Sequence, residues 1–140
     1  MPFDSPELDA WASGFPLTLL HLAVALAILA AGATFYALVT PHREIQLIRE
    51  GNTAAALSFG GVLVGIALPL AFALAASTSV LEIAIWGATT IVVQLALFWL
   101  VDLMLRGLPQ RIRQGEVAAA ALLVGAKLAV AAILAAAVSG

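Results

Sequence analysis

The sequence predicts an all-α integral membrane protein, a bundle of four transmembrane helices built from two tandem helical hairpins. Three observations carry the prediction. The chain of 140 residues is 64% hydrophobic and only 10% charged, with a mean hydropathy of +1.12, whereas soluble domains are roughly 25% charged. Four apolar runs, 17–39, 54–76, 82–105 and 117–138, each reach the ~20 residues that cross a ~30 Å hydrocarbon core. Five of the six basic residues fall between these runs rather than inside them.

The tail 1–16 carries Asp4, Glu7 and Asp9 and no basic residue. A signal peptide needs a positive leading segment, so run 17–39 reads as a permanent helix and the tail as an extracytoplasmic segment. Arg43 and Arg49 follow the first run, and Arg106, Arg111 and Arg113 follow the third. Basic loops stay on the cytoplasmic side, which places loops 40–53 and 106–116 in the cytoplasm and both termini outside. The organisation is then a tail, a first hairpin over 17–76 and a second over 82–138, with any activity in or beside the bilayer.

The second run opens on Ile48-Arg49-Glu50-Gly51-Asn52-Thr53-Ala54-Ala55-Ala56, and 64 residues later the fourth opens on Ile112-Arg113-Gln114-Gly115-Glu116-Val117-Ala118-Ala119-Ala120. The shared pattern, Ile-Arg-x-Gly-x-x-Ala-Ala-Ala, continues in register through Gly61 with Gly125 and Leu70 with Leu134. It predicts an internal duplication whose halves are related by an axis along the membrane normal. Gly51 and Gly115 precede a helix, where a permissive backbone lets the chain turn, and Asn52, Thr53 or Glu116 can cap the free amides that follow. Gly60, Gly61, Gly65 and Gly125 offer small faces for close helix approach. Pro69 frees a backbone carbonyl and kinks the second span.

Taken together, Thr40-Pro41 with Glu44, the Ile48-Arg49-x-Gly51-Asn52 stretch with its alanines, Ser58-x-Gly60-Gly61, Gly65, Ser79, Trp86 and Gln94 resemble the YjfL-like inner-membrane proteins, a domain family of unknown function (family 350). The resemblance runs from about Thr40 onward. It implies a small multi-pass protein of the bacterial inner membrane, in some members encoded near envelope-stress genes, and implies no established reaction. The fourth span departs from a plain repeat by carrying Lys127 where the first half has Leu63.

Lys127 is the strongest candidate functional residue. Near the middle of its span, about 15 Å from either end, an ammonium costs about 2.5–3.5 kcal/mol on insertion scales and needs a partner, a wet cavity or another subunit. Gln94 matches it in depth, and Glu82 and Asp102 are the available countercharges. Packing specificity is the alternative role for such a lysine. His21, one turn inside the outer face, reads first as an interfacial hydrogen-bonding residue, the alternative being a pair with Glu82 on the neighbouring span that titrates near neutrality. Tyr36, Trp11, Trp86 and Trp99 read as interfacial aromatics. Arg43, Glu44, Arg49 and Glu50, with Ile45 and Ile48, read as a short amphipathic turn on the inner leaflet.

Composition also excludes function classes. With no cysteine there are no thiolate sites or disulfides, and no basic cluster is long enough for nucleic acid. His21 and His42 lie about 30 Å apart by helix rise, too far to share a metal, and no nucleotide-binding or hydrolytic motif is present. The reading is therefore a non-enzymatic membrane protein without cofactor or metal, whose partners are the lipid bilayer and further copies of itself. One hypothesis is an oligomeric ion or proton conduit through Lys127, Gln94, Glu82, Asp102 and His21. The other is a scaffold whose loop residues Arg43, Glu44, Arg49, Arg111 and Arg113 hold a cytoplasmic or membrane protein or anionic lipid.

Overall fold

The computed structural model describes residues 5–40 and 43–140, which form helices and short connections with no strand among them; His42 lies outside the described residues. In chain order the helices are α1 (Pro6–Val39), α2 (Glu44–Arg49), α3 (Thr53–Ala76), α4 (Val80–Met104), α5 (Leu108–Arg113) and α6 (Val117–Ser139). Four of them, α1, α3, α4 and α6, are long and apolar enough to cross a membrane.

Helix α1 begins eleven residues before the first apolar run, so much of the expected tail is helical. The local chemistry explains the early start. Ser5 caps the helix by accepting from the Leu8 amide, Pro6 occupies the first turn, and Glu7 and Asp9 sit at its positive end, each a helix-starting signal. The helix continues through Pro16, and residues 6–20 are exposed throughout. At 34 residues α1 is about 51 Å long, well beyond a hydrocarbon core, and it joins the bundle from His21 onward.

The two arginine-bearing connections are built alike. Gly51 and Gly115 adopt positive φ angles of 87° and 85°, and each closes the short helix before it. The Asn52 amide returns to the Leu47 carbonyl and the Gly51 amide to Ile48, and the Glu116 and Gly115 amides return to Arg111 and Ile112 in the same way. This double return bond is the Schellman ending, which needs a left-handed residue and so favours glycine. The glycines therefore terminate α2 and α5 before they admit α3 and α6. Asn52 then caps α3 by accepting from the Ala55 amide at 2.9 Å. Glu116 makes no such cap and instead pairs with Arg111.

At the opposite end, Ser79 caps α4 by accepting from the Glu82 amide at 3.2 Å, and the Glu82 carboxylate accepts from the Thr78 amide and hydroxyl. The reciprocal arrangement is a form of capping box. Glu82 thus closes a turn at the end away from the arginine loops.

In cross-section, α3 and α4 face each other across the centre and α1 and α6 occupy the outer corners, with α3 and α6 in the most extensive contact. Small residues let α3 approach both α6 and α4 closely. A Cβ on Gly61 would come within 2.6 Å of Val124, and one on Gly65 within 2.6 Å of the Phe98 ring. Gly60 and Gly125 have open space around them, so only part of the expected small-residue set sits at helix crossings. Pro69 is buried within a continuous α3. At the arginine-loop end Ala54, Ala55, Ala119, Ala120 and Leu123 pack with Leu108 and Ile112; deeper in, Tyr36, Val62, Ile66, Ile91 and Phe98 form a second cluster.

Candidate functional site

Lys127 is 1% exposed and faces the bundle interior. Its ammonium lies 2.9 Å from Asp102 Oδ1 and donates to Asp102 Oδ2 at 3.2 Å and to the Tyr36 hydroxyl at 2.7 Å. It also sits 4.8 Å from the centre of the Tyr36 ring and 5.2 Å from that of Phe98, and the two rings meet edge to face. A buried cation held by a carboxylate, a phenol and two aromatic rings has its charge balanced and two of its donors met in a medium where an unmet charge is costly. Helices α1, α4 and α6 each supply a part.

The depth-matched partner, Gln94, is not the one Lys127 uses. Side chains on a helix lean toward its N-terminus. The N-terminus of α6 is at the arginine-loop end, so Lys127 leans toward that end, while Asp102 and Tyr36 sit near the C-terminal ends of α4 and α1 and lean back to meet it. Gln94 is fully buried, and neither its amide oxygen nor its nitrogen has a hydrogen-bond partner among the described residues; the Thr90 hydroxyl, also buried, is in the same state. Thr90, Gln94, Phe98 and Asp102 follow one another at four-residue spacing, a single stripe along α4 about 18 Å long.

Glu44 contributes from α2. The amphipathic-turn reading left it at the lipid surface, but it is buried, and its Oε1 accepts from the Ser58 hydroxyl at 3.2 Å. Burial holds its carboxyl above the usual carboxylate range, with the positive charge of Lys127 acting in the opposite direction. Ser58, Tyr36, Phe98 and Thr90 were not singled out from the sequence as parts of a site. Tyr36 looked like an interfacial aromatic because its distance from the span's end fits that belt; the signal that it could serve Lys127 is that both point inward.

The remaining sequence candidates lie apart. Glu82 is engaged by Thr78 at the far end, so it is not a countercharge to Lys127. His21 has a shielded Nε2 without a hydrogen-bond partner among the described residues and makes no bond to Glu82. Arg43 is a left-handed residue ahead of α2. Arg43 and Arg49 line a surface cleft with Gln46, and Arg113 lines another with Glu50 and Asn52. Among the described residues no three His, Cys, Asp or Glu side chains come together as a metal site.

A groove of about 600 Å³ opens between α1 and α4. Phe35, Val92, Leu95 and Trp99 are among its apolar walls, and Tyr36, Thr40, Asp102 and Arg106 lie at its arginine-loop end. Asp102, with a side chain 25% exposed, therefore faces the groove on one side and Lys127 on the other.

The fold and this cluster define a polytopic helical membrane protein with a charged network inside its bundle. Residues 10–138 match the family described as Domain of Unknown Function (DUF350), and the chain belongs to that family. It is 39% identical over 84 residues to the inner membrane protein YjfL of Escherichia coli (strain K12) and, to the same extent, to that of Escherichia coli O157:H7. The match covers 60% of this chain and 64% of each relative, so the chain spans somewhat under two thirds of the curated relatives' length. No solved structure matches.

Proposed function

We propose that the chain is a proton-conducting component of the bacterial inner membrane, working as a gated relay. The observation that carries the reading is the buried Lys127–Asp102–Tyr36 cluster continued along α4 by Gln94 and Thr90, two buried polar side chains without hydrogen-bond partners among the described residues. Ionisable groups inside a membrane-spanning bundle are costly to keep and serve most often as pathways. The cluster is a proton-exchanging set: an ammonium and a phenol that donate, and a carboxylate that accepts. Glu44 adds, at the arginine-loop end, a carboxyl whose affinity for a proton is raised by burial.

Phe98 interrupts the stripe between Asp102 and Gln94, fully buried against Gly65. Passage then requires the ring to swing aside, which makes the arrangement a gate rather than an open pore. In this reading the arginine loops face the cytoplasm, the protein assembles as a homo-oligomer, and no catalysis is involved. The test is proton flux into liposomes containing the purified chain under an imposed potential. Flux present in the wild type, lost in Lys127→Leu and raised in Phe98→Ala supports the relay; unchanged flux through Lys127→Leu sinks it.

A scaffold is the second reading. The cleft of about 490 Å³ between the two loops, lined by Glu50, Asn52 and Arg113 among others, is the observation that favours it. A folded, inserted and silent wild type that captures a partner, released on charge reversal of Arg49 and Arg113, would support the scaffold over the relay.

A further inference from the structure

We infer that the groove between α1 and α4 binds one anionic phospholipid of the surrounding bilayer, its acyl chain along the apolar walls and its phosphate against Arg106. The inference does not depend on proton movement.

Length and chemistry both select the occupant. From Val92 to Leu103 the α4 wall rises about 16 Å, the depth of one leaflet of a ~30 Å hydrocarbon core. The walls along this rise, Phe35, Leu95, Ala96 and Trp99 among them, are apolar, and polar groups appear only at the arginine-loop end. A cavity of about 600 Å³ lies within the usual range for a single small ligand. An amphiphile with an apolar tail and a polar head fits this order of surfaces, with the tail toward mid-bilayer and the head toward the loop end.

Charge selects the sign of the head. The Asp102 carboxylate lines the groove, but Lys127 lies 2.9 Å behind it and balances its charge. Arg106 lines the same end, is exposed, and makes no ion pair among the described residues. The groove's polar end therefore carries one unbalanced positive charge, which complements a phosphate-bearing head of net negative charge. A second copy of this chain is the poorer occupant: aligned packing in the groove brings a second Arg106 to the level of the first, which sets like charges together.

Trp99 lines the groove and reports on it. The experiment uses a Trp11→Phe/Trp86→Phe background, leaving Trp99 as the sole tryptophan, reconstituted in vesicles containing brominated phosphatidylglycerol or brominated phosphatidylcholine at equal mole fraction. Phosphatidylglycerol should compete for the Trp99 site about fivefold better, the effect of one basic residue at a membrane surface. The preference should fall to about one in Arg106→Gln and persist in Arg49→Gln, which removes an equal charge elsewhere. Equal quenching by the two lipids in the wild type overturns the site, as does a preference that survives Arg106→Gln. A preference lost equally in Arg49→Gln reduces it to general surface charge and also overturns it. Trp99 shielded from both brominated lipids would mean that protein, not lipid, covers the groove.

Discussion

The Lys127 ammonium and the Asp102 carboxylate lie 2.9 Å apart, although their backbones sit at different depths. Lys127 is ten residues into α6 from the arginine-loop end and Asp102 two residues from the end of α4, about 15 and 3 Å by helix rise. The antiparallel course of the two helices closes the gap, because each side chain leans toward its own N-terminus and hence toward the other. Reach and lean, rather than level, determine which partner a buried lysine finds.

This pairing makes the first prediction. Lys127→Met leaves a carboxylate without its cation, and Asp102→Asn leaves a cation without its anion; breaking a buried pair from one side costs about 3 kcal/mol or more. The double variant Lys127→Met/Asp102→Asn should recover part of that loss, so the two effects should fall well short of additive. Steric-trapping measurements of unfolding in bicelles would show it. Strict additivity would mean that the two residues do not act as a pair.

The α3–α6 crossing gives the second prediction. A Cβ at Gly61 would meet Val124 at 2.6 Å, and a β-branched side chain in a close-packed contact has little room to rotate away. Gly61→Ala should cost about 2 kcal/mol through overpacking, with much of it returned by Val124→Ala. Gly60→Ala and Gly125→Ala meet open space and should be neutral or slightly stabilising, since alanine favours helix over glycine. The same unfolding assay would separate the two groups.

These residues also show how far the sequence could be read. The four spans were legible because lipid imposes a length and an apolar composition that any helix must meet. Lys127 was legible because a charge within an apolar run has no cheap explanation. Asp102 was legible as one of two countercharges, but the choice of Asp102 over Gln94 and Glu82, and the part played by Tyr36, were not, since both residues lie near span ends and meet Lys127 only through the lean of their side chains. Glu44 was hidden for a different reason: it sits in a charged loop, and only the packing of α2 on α3, which puts its carboxyl against Ser58, turns it inward. The early start of α1 was written in Ser5, Pro6, Glu7 and Asp9, signals that the hydropathy count passed over.

Asn52 ties the two arginine connections together and makes the third prediction. Its side-chain oxygen caps α3, while its amide nitrogen donates to the carbonyls of Ile112 and Arg113, each at 3.1 Å. Asn52→Ala should lose the cap, worth about 1 kcal/mol, together with the link between α2 and α5. Asn52→Asp keeps an acceptor for the cap but no donor for the link. Amide hydrogen exchange should therefore speed up around both α3's first turn and α5 in the alanine variant, and only around α5 in the aspartate variant. Equal exchange in α5 across all three proteins would show that the link carries no stability.

The fourth prediction concerns pH. Burial raises the Glu44 carboxyl above its ordinary value of 4.5, so the folded chain binds that proton more tightly than the unfolded chain does. The sign follows from linkage: the stabilisation is complete below the unfolded value and is lost as pH rises through the raised folded value. Lys127, whose charge favours the ionised carboxylate, moderates the shift, and the Asp102 charge adds to it. Glu44→Gln leaves an oxygen to accept from Ser58 but removes the titration. Its melting temperature should therefore gain on that of the wild type as pH is raised from below 4.5 toward neutrality, then stay level once the wild-type carboxyl is fully ionised. A difference that does not change across that interval would place the Glu44 carboxyl in water, and one that changes in the opposite direction would mean that Lys127 outweighs burial.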